Sequence, residues 1–123
     1  MFRLFIIICA FIGSAVLAAE KHETVPTPFH GNWASNLKYC GTAHINNLNI
    51  SPNHIEFLES DGPILSIVTR GNNELALITE LFGGCDEWLA FYYYRLSSDR
   101  NKLTDITDLY SKEQLVRYRC PSK

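Results

Sequence analysis

The chain has 123 residues, 46% of them hydrophobic, and carries 11 Lys and Arg against 13 Asp and Glu, a formal net charge of −2. That length suits one domain with one apolar core. A slight acidic excess with no basic run argues against nucleic acid or an anionic membrane as partner.

The start is mildly basic at Met1–Arg3, apolar from Leu4 to about Leu17, and small at Ala18 and Ala19 before Glu20 and Lys21. Basic start, apolar middle and small-residue exit form the signature of a cleavable secretory signal peptide over residues 1–19. The apolar run is roughly 14 residues, short of the about 20 that cross a bilayer. Cleavage after Ala18 puts Val16 and Ala18 at the recognised positions, with cleavage after Ala19 the close rival. Cys9 lies inside the run behind Ile8, so it does not fit a lipid-modified cysteine. The expected location is periplasmic or extracellular.

Residues 20–28 are polar with Pro26 and Pro28 and read as an extended, partly mobile arm. Residues 29–123 then read as a single β domain. Short apolar runs are expected as strands at Leu48–Ile50, His54–Ser60, Pro63–Arg70, Glu74–Phe82, Glu87–Leu96, Lys102–Thr107 and Gln114–Cys120. Turn signals separate them: Ser51-Pro52-Asn53, Asp61-Gly62, Gly71-Asn72-Asn73 and Gly83-Gly84. Leu75–Phe82 also has helix-forming residues, but its Asn-Asn and Gly-Gly flanks leave it too short, and strand is preferred. Asp105–Gln114 has room for one helical turn. About eight short strands joined by tight turns point to an all-β fold, a small antiparallel up-and-down barrel, because closure removes exposed edges.

After the leader is removed, Cys40, Cys85 and Cys120 remain, and export allows disulfides. Cys40 and Cys120 bracket the domain. A bridge between them closes a loop of about 80 residues, worth roughly 4.5 kcal/mol in the chain-entropy description, and pins the last strand. Cys85, in Gly84-Cys85-Asp86, is then the odd thiol of a turn.

Residues able to carry chemistry are scattered. His22, His30, His44 and His54 have no metal-ligand spacing, so no metal is expected. Ser97-Ser98-Asp99 has no histidine nearby, Glu56 and Glu59 fall on opposite faces of one expected strand, and no Gly-rich phosphate loop is present. No catalytic residue and no cofactor is assigned, and the expectation is a protein that is not an enzyme. Asn49-Ile50-Ser51 is an N-glycosylation sequon, meaningful only in a eukaryotic secretory pathway. In a strand, Tyr92 and Tyr94 share one face with Trp88 and Ala90, while Tyr93 shares the other with Leu89 and Phe91. One face fills the core. The other is an aromatic surface suited to a partner. The expected partner-binding set is Gly83, Gly84, Asp86 and Trp88 of the turn with Tyr92, Tyr93 and Tyr94.

Gly31-Asn32-Trp33 resembles the Gly-x-Trp opening of lipocalins and other calycin barrels. The resemblance covers the first and last strands. It implies a lipocalin-like barrel in which Trp33 closes one end and an arginine of the last strand, Arg117 or Arg119, packs over it. Tyr39-Cys40-Gly41 more faintly resembles the Tyr-x-Cys start of MliC-type bacterial lysozyme inhibitors, small exported barrels with a cysteine near the C-terminus. Their inhibitory Ser-Gly stretch with a following Tyr corresponds here to Phe82–Trp88, where the serine is missing and Trp88 stands for the tyrosine.

The expectation from sequence is an exported binding protein, monomeric, taking either a protein partner or an apolar small molecule. Inhibition of a cell-wall hydrolase is the alternative, and a small hydrolase a weaker one. An open apolar interior would favour the small molecule. A packed interior with a projecting 82–88 loop would favour a protein.

Overall fold

Alternating apolar residues separated by Gly- and Asn-containing turns give nine antiparallel strands. The computed structural model describes residues 18–122, so the expected signal peptide, apart from its last two residues, lies outside the described part. The strands are β1 (Ala19–His22), β2 (Gly31–Ala34), β3 (Leu48–Ile50), β4 (His54–Glu56), β5 (Asp61–Arg70), β6 (Glu74–Gly83), β7 (Asp86–Leu96), β8 (Lys102–Asp105) and β9 (Val116–Arg119). From β2 to β9 each pairs with the next. The β2–β9 pairing, Trp33 opposite Arg119, then closes an eight-stranded up-and-down barrel. β1 is a ninth strand, laid along the half of β5 that β4 leaves unpaired.

The interior is filled by side chains. Phe29, Trp33, Leu48, Ile50, Ile55, Leu75, Leu77, Leu81, Tyr94 and Leu103 are all fully buried. On β6 the period of two sends Leu75, Leu77, Thr79 and Leu81 inward without interruption. On β5 a bulge at Leu65 shifts the register between Ile64 and Ser66, so Ile64 and Ile67 both face the core and Leu65 is left outside.

One barrel end is plugged. Val25 and Phe29 are buried there around a 3₁₀ turn at Thr27–Phe29, and the Trp33 indole donates to the Phe29 carbonyl at 3.1 Å. The Arg119 guanidinium sits 4.3 Å from the centre of the Trp33 ring. It donates to the carbonyls of His30 (2.7 Å), Pro28 (2.6 Å) and Arg100 (3.0 Å). The expected arginine-over-tryptophan closure is therefore made by Arg119. Arg117 points into the barrel nearer its other end, donating through Nε to the Asn46 carbonyl at 2.7 Å.

The 20–28 arm is docked rather than trailing: β1 pairs with β5, and the Val25 amide donates to Pro52. Asp61-Gly62 is not the β4–β5 turn. The chain turns at 57–60, with the Phe57 amide bonded to the Ser60 carbonyl at 2.7 Å, and β4 ends at Glu56. Gly62 instead sits inside β5 because a Cβ there would lie 1.8 Å from the Glu80 carbonyl oxygen. Glu59 is thus a turn residue. Residues 106–115 form bends and turns without a helix. Cys40 and Cys120 are joined, which holds the 35–47 loop back against the end of β9, and Cys85 is a free, exposed thiol.

Candidate functional site: the β6–β7 hairpin and its outer face

β6 and β7 are the longest neighbours in the barrel, in unbroken register from Glu74 opposite Arg95 to Gly83 opposite Asp86. Gly84 and Cys85 form the two-residue tip, with Gly84 at φ 61°, a left-handed value that favours glycine. Gly83 has a different role. A Cβ there would meet the Glu59 carbonyl oxygen at 2.6 Å, so its lack of a side chain lets the hairpin pack against the 57–60 turn. Asp86 is exposed at the tip.

Strand alternation divides the expected aromatic set. Tyr94 points inward and is fully buried, as a core residue rather than a contact surface. Its hydroxyl has no hydrogen-bond partner among the described residues, and burial pushes its pKa far above the ordinary tyrosine value. Tyr92 also points inward, half-buried. It stacks on Tyr94 at 5.9 Å and tilts against Phe57 at 5.1 Å, and burial raises its pKa. Trp88 has the same inward parity but lies at the barrel mouth, 42% exposed.

Tyr93 is the one tyrosine of the three on the outer face. Its hydroxyl donates to the Glu74 carboxylate, which also receives Arg95 at 3.4 Å. The Tyr93 bond is the main reason the Glu74 carboxyl titrates below its ordinary value. Burial first, and Glu74 second, raise the Tyr93 pKa.

The outer face holds residues that composition did not single out. Phe91 is 52% exposed and lies opposite Ile78, Leu89 is 69% exposed, and the bulged Leu65 adds a fourth apolar side chain beside Ile78. The signal was present in the sequence. Once Tyr94 is placed inside, Leu89, Phe91 and Tyr93 must face out.

Strand direction also sorts the charges. The end carrying the hairpin tip has Glu56, Glu59, Asp61, Asp86 and Glu87. Arg70, Arg95, Arg100, Lys102 and Arg119 lie at the plugged end, partly offset by Glu20, Glu23, Glu74 and Asp99. Elsewhere, a cleft of about 310 Å³ separates the outer face of β2–β4 from the 35–47 loop. In it the sequon's Asn49 amide donates to Asn32 Oδ1 at 2.7 Å. Among the described residues no three His, Cys, Asp or Glu side chains are grouped to hold a metal, and no helix is long and apolar enough to cross a membrane. No protein-family model, curated protein or solved structure matches the chain.

Proposed function

We propose that this chain is an exported, non-enzymatic binding protein with a lipocalin-like barrel, and that its partner is a protein. One observation carries the reading. The interior is filled by packed side chains, while the apolar surface on offer lies outside, at Leu65, Ile78, Leu89 and Phe91. A ligand-carrying barrel needs the reverse arrangement. The Arg119–Trp33 closure over the plugged end supports the lipocalin likeness. The hairpin tip adds Asp86 and Glu87 to an acidic barrel end, which suits a basic partner. That charge also favours the alternative, inhibition of a basic cell-wall hydrolase.

The test is recovery of a bound protein from the native compartment, followed by Asp86→Ala and Phe91→Ala with affinity measured. Each substitution is expected to weaken the complex, Phe91→Ala by about 2 kcal/mol as an aromatic anchor. Effects below about 0.5 kcal/mol, the level of ordinary surface changes, would place the contact elsewhere. An apolar small molecule co-purifying with the barrel would overturn the protein-partner reading. Direct assay against a basic lysozyme checks the hydrolase alternative.

A further inference from the structure

β7 outruns its neighbour on one side. β8 pairs only with Tyr94–Leu96. Beyond it the Tyr93 amide donates to Thr107 Oγ1 at 3.0 Å, and the Ile106 amide donates to the Tyr93 carbonyl at 2.8 Å. Backbone groups alternate sides along a strand, so the N–H and C=O of Phe91, Leu89 and Glu87 point the same way as those of Tyr93. No strand of the described residues meets them, and all three residues are exposed. Asp86–Tyr92 is therefore an open edge. It has no lysine, no proline and no bulge in its register with β6 to protect it.

A row of donors and acceptors at every second residue is matched by another extended backbone. The side chains around the row say which kind of strand fits. Asp86 and Glu87 stand at the tip end, and Asp105, opposite Tyr94, stands where β8 stops. Between them are apolar groups, Leu89 and Phe91 on the outer face and Trp88 at the barrel mouth. Neither 86–92 nor 105–107 contains a lysine or arginine. Arg95 is bonded to Glu74 on the β6 side, and Arg117 is buried in the interior. A strand laid along this edge meets carboxylates at both ends and apolar side chains between. The same edge of a second copy, laid antiparallel, would set its Asp86 and Glu87 against Asp105, like charge against like.

We propose that this edge takes an extended segment of the partner protein as an added strand, basic at its two ends and apolar between. Such pairing rests on the protein-partner reading above and specifies the part of the partner that docks. The N–H and C=O of Glu87, Leu89 and Phe91 supply the main-chain bonds, and the flanking carboxylates fix the register. From Glu87 to Tyr93 the edge spans about 20 Å, the length of about seven partner residues.

The probe is the heptapeptide acetyl-Lys-Val-Thr-Val-Thr-Val-Lys-amide, added to the protein while amide exchange is followed by NMR. In the free protein the amides of Glu87, Leu89 and Phe91 should exchange rapidly, while those of Trp88, Ala90 and Tyr92, which face β6, are protected. The peptide should bind with a Kd below about 1 mM and slow the first three amides at least about tenfold. With glutamate in place of both lysines it should bind at least about tenfold more weakly. Two protein variants should each weaken binding of the lysine peptide at least about tenfold. One is Leu89→Pro, which removes only an unpaired N–H. The other combines Asp86→Lys with Glu87→Lys at exposed tip positions. Circular dichroism confirms that each is folded. Absence of binding, binding that leaves the three amides unprotected, or equal binding of the two peptides would each overturn the proposal. Protection that rises with protein concentration in the absence of peptide would give the edge to a second copy and overturn it too. A native partner protein that protects other amides instead would overturn the added strand and leave the protein-partner reading intact. Failure of that reading shows separately, as an apolar small molecule co-purifying with the barrel.

Discussion

Gly62 and Tyr93 show how a single residue's meaning depends on what lies across the sheet. In sequence Gly62 follows Asp61 and reads as turn chemistry. In the fold it is the point where β5 approaches the Glu80 backbone so closely that a methyl group would overlap a carbonyl oxygen. Gly62→Ala forces one strand to shift and should cost about 2–4 kcal/mol in urea unfolding. A loss below about 1 kcal/mol would mean that the strand yields easily.

Tyr93 acts through Glu74, whose carboxyl it holds below the ordinary value of 4.5. A depressed folded-state pKa contributes stability above the unfolded value, and that stability is lost as pH falls through the folded value. Tyr93→Phe removes the main cause. It should therefore bring the Glu74 titration, followed by NMR, back towards 4.5. The stability gap between the two proteins should be present near pH 7 and close as pH falls through the lowered Glu74 titration. A gap that persists in acid would assign the effect to packing.

Among the elements, β9 depends most on its surroundings. It has four residues, yet it closes the barrel through β2, carries Arg119 onto Trp33 and ends beside Cys120. The bridge to Cys40 spans a sequence separation of 80 and prevents this short strand from fraying. Replacing both cysteines by serine should lower unfolding free energy by about 2–5 kcal/mol. Thiol titration of residues 20–123, the chain without Cys9, under denaturing conditions should find one reactive group, Cys85. More than one would show that the bridge does not form.

β1 depends on its surroundings in another way. Its polar residues carry no strand signal of their own, and it pairs because β4 is too short to cover β5. The same mismatch of lengths, between β7 and β8, leaves the open edge from Asp86 to Tyr92.

At the scale of the whole molecule, closure and polarity matter most. A barrel of eight strands with its interior filled has no room for large helices, and far-ultraviolet circular dichroism should be dominated by β structure. Helix content above about 30%, the globular average, would contradict it. Because successive strands run in opposite directions, residues far apart in sequence gather at one end. This is how Glu56, Asp61 and Asp86 come to form an acidic rim although they lie far apart in the chain.

The sequence by itself determined what depends on local pattern. Period-two alternation, Gly and Asn turns and the Cys40 and Cys120 positions were enough for an all-β barrel with one bridge and one free thiol. Gly31-Asn32-Trp33 was enough to expect an arginine over Trp33, though Arg117 and Arg119 have the same parity and only the fold chose Arg119. What the tertiary structure decided depends on long-range neighbours. It set which face of the tyrosine run is inside, because that choice is fixed by Leu77, Leu81 and the opposing wall rather than by the run itself. It turned Gly62 from a turn residue into a contact residue. It also decided how far each strand is covered by the next, because coverage is set by the relative lengths of paired strands, and a single strand's sequence does not contain its partner's end.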